Sequence, residues 1–308
     1  MHVQTGVPVA RGLIMKSQPF LFIAPKLSRG LITLAVSMQK KGMRVIIASP
    51  AKHAQTYKLR TRHVRIGHIR LFNKVFLFST SELRKLIKSE KPRILVIEQS
   101  GKDLARRMRL NHKDVPPEFG IDLSVFNPKS VASLLQSRFL SEFNIAPHQK
   151  LVTVISPLGL GLDTLLKALA HINSDELLVA LYGSTGSMRA RKIIRQISRA
   201  GQNHRITFIG QDEDLATIMR SSYAVMSLCW HDRSLLMAAT AMGRPTIWPD
   251  NSGIAPNIKL KDANSPTGIA EALSKTLSLS VTDRSSIEKN NVITAKKFDI
   301  EKIVNALV

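Results

Sequence analysis

Little in this 308-residue chain equips it for cross-linking or aromatic stacking. A single cysteine, Cys229, excludes an intrachain disulfide, and its apolar setting in "VMSLCW" predicts a buried thiol in a reducing compartment. Aromatic residues make up 5% of the chain, too few to interleave with its cations as single-strand nucleic-acid binders require. No apolar run approaches the roughly 18 residues that a spanning helix needs; the longest stretches are "FLFIA" and "GLITLAV". The opening "MHVQTGVPVARGLI" lacks the basic start and long apolar middle of an export signal, so a cytoplasmic location is expected, with folding beginning near Met15. The histidines show no metal-ligand spacing, and neither a P-loop nor a G-x-S-x-G turn occurs, so neither a metal nor a cofactor is expected.

Acidic residues are scarce in one half only. None precedes Glu82, and of the net charge of +23 most sits early: residues 1–150 carry 27 Lys and Arg against 8 Asp and Glu, and residues 151–308 carry 18 against 14. Lys52, Lys58, Arg60, Arg62, Arg65, Arg70 and Lys74 crowd one short region together with His53, His63 and His68. Such a field attracts polyanions. Phospholipid headgroups would contribute about 1 kcal/mol per nearby cation, nucleic-acid phosphates are a second class, and a merely solvated basic face is the bland reading. The shortage of aromatics favours an anionic membrane surface and leaves nucleic acid the least favoured partner.

What is present reads as folded α/β protein. The composition is 44% apolar and 22% charged, a globular balance without low-complexity linkers. "PFLFIAP" and "MRVIIASP" are short apolar runs flanking the helically spaced "LSRGLITLAVSMQKKG", a βαβ unit. "HVRIGHIRLF" predicts a third strand, "STSELRKLIKSEKP" a capped helix and "RILVIEQ" a fourth strand. The alternation fades after Gln99 and resumes from "KLVTVIS" to "PTIWP", with a helix between each pair of strands. The expected fold class is therefore α/β, with two Rossmann-like, doubly wound parallel-sheet domains and a shortened first one. The expected division is 15–118, 119–285 and a C-terminal helical segment, 286–308, packing back on the first domain.

Several landmarks in this order resemble one family. "FGIDLSVFNP" from Phe119, "RITFIGQDEDLATIMRSSYAVMSL" from Arg205 and "AMGRPTI" from Ala241 are similar to the inter-domain, donor-side and closing motifs of GT-B glycosyltransferases of the group-one, family-four type. "SRGLITLAVSMQKKGMRVIIAS" looks like the family's first helix and second strand. The resemblance implies two domains facing a groove, a nucleotide-sugar as substrate, and metal-independent, retaining transfer to a lipid-linked or polysaccharide acceptor of the cell envelope. It also implies peripheral attachment to the inner face of the cytoplasmic membrane and a possible partner glycosyltransferase.

The chemistry of the family is where this chain departs. Charge developing on a leaving diphosphate is met in the family by an Arg and a Lys, but the matching positions are Ile155 or Ser156 and Leu160. Two family glutamates, which contact the sugar and the ribose, fall on Trp230 and Ala238, neither of which has a side-chain acceptor. What the resemblance leaves as a donor site is Ser156, Gly159, Gly161, Gly183, Gly186, Gly210, Gln211, Ser234 and Leu235. Backbone N–H groups near the start of a helix at Leu162 are a partial substitute for the lost cations, and the alternative is that these glycines, like Gly183 and Gly186, serve only tight turns. Asp232 and His231 are the remaining catalytic candidates, although Asp232 or Ser234 serves equally as a helix N-cap. Each missing charge-assisted contact removes about 1.5–3 kcal/mol. The alternative is therefore a catalytically inactive relative that acts as a binding or scaffold partner in envelope glycan assembly.

Overall fold

Strand-forming alternation and helical spacing follow one another along the chain, and a computed structural model shows the elements they produce. It describes residues 18–50, 62–71, 74–115, 120–155, 161–183, 188–210, 214–229, 233–249 and 255–307. The chain divides into two units, Met1–Pro117 and Glu118–Val308. Among the described residues no helix is long and apolar enough to cross a membrane.

The first unit runs β1 (Phe20–Ile23), α1 (Arg29–Lys40), β2 (Val45–Ser49), β3 (Arg62–Arg65), β4 (Gly67–Leu71), β5 (Lys74–Phe78), α2 (Ser81–Glu90), β6 (Arg93–Ile97), α3 (Glu98–Arg107) and β7 (Lys113–Val115). Its sheet has the order β3-β2-β1-β6-β7, with every pairing parallel. Two helices start where side chains satisfy their free N–H groups: Ser28 Oγ accepts from Leu31 N, and Thr80 Oγ1 from Leu83 N, both at 3.2 Å. Leu31, Leu34, Ala35 and Met38, spaced along one side of α1, are buried, as helical amphipathicity requires. Leu21, Ile23, Ile46, Ala48, Ile94 and Val96 form one apolar cluster with Leu83 and Leu86 of α2 and Leu104 of α3.

Two features of this unit differ from the sequence expectation. "HVRIGHIRLF" is not one strand. β2 ends at Ser49, whose carbonyl accepts from Ile66 N at 3.1 Å, so the chain beyond Ile66 has no partner in the sheet. From Gly67 it pairs antiparallel with β5 in a separate two-stranded hairpin. The segment after α3, where the alternation fades, nevertheless supplies β7 at the sheet edge.

The second unit runs α4 (Ser133–Glu142), β8 (Lys150–Val154), α5 (Leu162–Ala170), β9 (Leu177–Tyr182), α6 (Met188–Arg199), β10 (Ile206–Ile209), α7 (Leu215–Ser221), β11 (Ala224–Met226), α8 (Arg233–Ala241), β12 (Thr246–Pro249), β13 (Ile258–Leu260), α9 (Pro266–Leu277), α10 (Val281–Ala295) and α11 (Ile300–Leu307). The sheet order is β10-β9-β8-β11-β12-β13, again with every pairing parallel. Period-two alternation sorts the strands onto two cores. Leu151, Leu178, Val225 and Trp248 pack with α7 and α8, whereas Val152, Val179, Met226 and Ile247 pack with α5, α6 and α9.

α8 is buried from Leu235 to Ala241, and its far end is tied down by Arg244. This guanidinium, 6% exposed, donates to Glu288 Oε1 at 2.8 Å and to the Arg220 carbonyl at 2.6 Å. Burial, then the neighbouring Arg220, lowers the Arg244 pKa to about 10, against the pull of Glu288. It stays charged at neutral pH, so Glu288 is needed as counterion. Asn291 adds a bond from Nδ2 to the Arg244 carbonyl at 2.8 Å. Farther along, Ile121 N donates to the Phe298 carbonyl at 2.7 Å and Ile300 N to the Ile121 carbonyl at 2.9 Å, which fastens the C-terminal segment to the start of this unit.

Candidate functional site

In an open parallel sheet the ligand crevice lies beyond the carboxyl ends of the strands, where neighbouring connections leave in opposite directions. In the second unit this switch point falls between β8 and β11, because the chain winds outward from β8 through β9 and β10 and then returns to β11 on the other side. The turns leaving these two strands meet there. Gly161, at the N-cap of α5, has φ +68°, and a Cβ on it would lie 2.8 Å from Cδ1 of Leu228, just beyond β11. A left-handed backbone and a close neighbour thus both call for glycine. Among the described residues no side chain caps α5, and its first turn carries Asp163, whose Oδ1 accepts from Gln196 Nε2 at 3.1 Å.

The other strand ends build the same edge. Gly183 is buried and its N–H donates to the Ile209 carbonyl at 3.0 Å, which places the turn after β9 beside half-buried Gly210 after β10. Asp214 begins α7: its Oδ2 accepts from Thr217 N at 3.0 Å and from Thr217 Oγ1 at 2.7 Å. That carboxylate is engaged in capping. After β11, buried Ser227 accepts on Oγ from Cys229 N at 3.1 Å and donates to the Cys229 carbonyl at 2.9 Å, a tight turn leading toward α8. Cys229 itself is only half-buried, not buried as its apolar neighbours suggested, because this turn turns it away from the core.

The expected site residues fall into two groups. Gly161, Gly183, Gly210, Ser234 and Leu235 are all described: the glycines lie beyond the carboxyl ends of β8, β9 and β10, and Ser234 and Leu235 are in the first turn of α8, with Leu235 buried. Ser234 is the second residue of that helix, so it is not the cap residue. Ser156, Gly159, Gly186, Gln211, His231 and Asp232 lie outside the described residues. The losses read from the sequence have a physical counterpart. Ile155 is 3% exposed and Ala238 is 2% exposed, both in the apolar cluster around Trp248. A contact missed by sequence reasoning is that of Leu228 under Gly161, whose only signal is the last glycine of "PLGLGL".

The basic region of the first unit is also split. Arg62 and Arg65 on β3, Arg70 on β4 and Lys74 on β5 are exposed, while Lys52, Lys58 and Arg60 lie outside the described residues. Arg62 is 3.8 Å from Glu90, which also pairs with Arg44 at 3.2 Å. His63 is not turned to solvent: its Nε2 lies 2.8 Å from Ser49 Oγ, and burial lowers its pKa, against the opposing charge of Glu82. His68 is exposed. Among the described residues no group of three or more His, Cys, Asp or Glu gathers into a metal-ligating arrangement.

Comparison with known proteins ties this geometry to a fold. No family model and no curated protein matches the sequence. Solved structures do. A glycosyltransferase from Rickettsia africae superimposes with a TM-score of 0.70 at 13% identity, over 94% of this chain and 97% of that one. The Anabaena protein HepE, in complex with UDP and glucose, gives 0.67 at 14% identity over 94% and 98%. WaaG, a glycosyltransferase involved in lipopolysaccharide biosynthesis, gives 0.59 at 14% identity over 94% and 99%. The fold is thus that of the GT-B glycosyltransferases, two Rossmann-like units.

Proposed function

We propose that this GT-B chain binds a nucleotide-sugar through its second unit and transfers the sugar to a lipid-linked or polysaccharide acceptor of the cell envelope. The observation that carries the reading is the packing of Gly161 on Leu228 at the switch point of the second sheet, in a fold shared with a protein solved with UDP and glucose. The first N–H groups of α5 have no side-chain cap among the described residues and sit at the positive end of the helix, so they suit a diphosphate in place of the missing Arg and Lys. Gly183 and Gly210 let backbone approach the nucleotide. Ser156, Gly159, Gly186, Gln211, Ser234 and Leu235 complete the proposed donor site. His231 and Asp232 are the groups left to meet the sugar.

In this reading the transfer is retaining and uses no metal or other cofactor. The basic first unit faces an anionic membrane from the cytoplasmic side, where a lipid-borne acceptor and a partner transferase are met. Nucleic acid has no part in it.

A second reading has its own observation. Ala238 and Ile155, at positions where the resemblance expects charged contacts, are closed into an apolar core, which fits a relative that binds a glycan, a lipid or a partner transferase without turnover. The test is incubation with a panel of UDP-, GDP- and ADP-sugars, following thermal shift and release of the nucleoside diphosphate. A shift with release for one donor supports the enzyme. A shift without release, with acceptor extracts present, supports the inactive relative. No shift at millimolar donor contradicts the donor site.

A further inference from the structure

The hairpin β4–β5 stands outside both sheets, and its two faces are unlike. Cross-strand partners share a face, so the register puts His68 with Leu77 and Arg70 with Val75 on one side, and Gly67 with Phe78, Ile69 with Phe76 and Leu71 with Lys74 on the other, with the lysine at its turn end. The first side holds the hairpin in place: Leu77 is 2% exposed and Val75 packs against the cluster that includes Leu104 of α3. A lone hairpin is marginal in water, so this packing is what keeps it folded.

The second side has no such role. Ile69 is 50% exposed, Leu71 53% and Phe78 41%, three large apolar side chains on one short ribbon. Scattered exposed apolar residues need no explanation, but a contiguous set on an unpaired ribbon favours association. The hairpin and the strand before it carry cations and no carboxylate of their own. Arg65, Arg70 and Lys74 are exposed and, among the described residues, have no carboxylate at ion-pair distance, and no acidic residue occurs in the sequence before Glu82.

We propose that this hairpin is an interfacial wedge for an anionic phospholipid bilayer. Ile69, Leu71 and Phe78 enter the boundary of the acyl chains, with half-buried Phe76 behind them, while Arg65, Arg70 and Lys74 meet headgroup phosphates. Long cationic side chains lay their stems along apolar surface with the charge outward, which lets both groups act on one ribbon. A nucleic acid would leave the apolar face in water, and a second copy of this chain would bring like charge against like charge. The proposal rests on the membrane-facing part of the function above and adds the structure that makes the contact.

The experiment is flotation of the full chain with phosphatidylglycerol–phosphatidylcholine vesicles and with phosphatidylcholine vesicles, without any sugar donor. Ile69→Thr/Leu71→Thr keeps strand-forming residues but removes apolar surface. It is expected to weaken partition into anionic vesicles at least about tenfold with an unchanged melting temperature. Arg70→Gln/Lys74→Gln is expected to weaken it comparably, and the parent's binding to fall in about 0.5 M salt. As a check independent of the double variants, Leu71→Trp should show blue-shifted emission on adding anionic vesicles. Equal binding by parent and Ile69→Thr/Leu71→Thr, with no shift for Leu71→Trp, would overturn the wedge and leave a general basic attraction. No binding by the parent would overturn the membrane-facing reading too. Parent dimerisation that the Thr variant abolishes would assign the face to a second copy and overturn the proposal.

Discussion

Both units wind their parallel strands in the same way, outward through the third from the first and back to the fourth, yet they place different chemistry around that frame. The second unit sets glycines and an uncapped helix start at its strand ends and divides its apolar residues between two cores. The first carries most of the net charge and puts exposed cations on β3 and on a hairpin that leaves the sheet. In the function proposed above, one frame serves a ligand crevice in one unit and a surface for polyanions in the other, since a shared fold does not make functions alike.

That comparison can be broken most forcefully at Arg244. In Glu288→Ala the buried guanidinium loses its counterion, and the second unit should lose about 3 kcal/mol in chemical denaturation, because an uncompensated buried charge is costly. The first unit should be unaffected, so two separated transitions are expected. Next comes a matched pair of glycines. Gly161→Ala must hold a left-handed φ, at about 1–2 kcal/mol, and displace Leu228, so nucleotide affinity should also fall at least about tenfold. In the first unit, Gly101→Ala would bring a Cβ to 2.8 Å from the Ile23 carbonyl, which backbone cannot relieve without shifting α3. It should cost about 1–3 kcal/mol where a helical Gly→Ala exchange ordinarily stabilises, and donor titration should be unchanged.

The strands from β8 to β12 and the helices between them were legible because each strand is an apolar run with a parallel neighbour and each helix between them buries apolar residues. β13, three residues at the edge beyond "PTIWP", was not expected. The hairpin was not legible. Whether "HVRIGHIRLF" continues a sheet strand depends on where β2 ends, and that is a long-range fact. The site divides in the same manner. Gly161 could be found from its place before a helix, but Leu228 beneath it depends on strand order. Asp214, at the same edge, is a helix cap.

Two smaller effects sharpen the contrast. Asp163 places a negative charge in the first turn of α5, where the proposed diphosphate would bind. Asp163→Asn should therefore tighten nucleotide binding by about twofold to fivefold in calorimetry, the size of one helix-terminus charge. The smallest concerns pH. The His63 pKa is lowered in the folded state, so its neutral form contributes stability that is present above pH 6.5, the ordinary value, and lost as pH falls through the folded value. Melting of the first unit should soften on acidification in that window. His63→Asn should flatten the profile and leave the second unit's profile unchanged.

The central claim is that an activated sugar sits at the switch point of the second sheet, and hydrogen–deuterium exchange with and without saturating UDP-sugar tests it most directly. Slower exchange confined to peptides covering the start of α5 and the ends of β9 and β10, with the first unit's hairpin unchanged, is the expected result. Protection that appears only in the first unit, or none at a donor concentration that shifts the melting temperature, would contradict it.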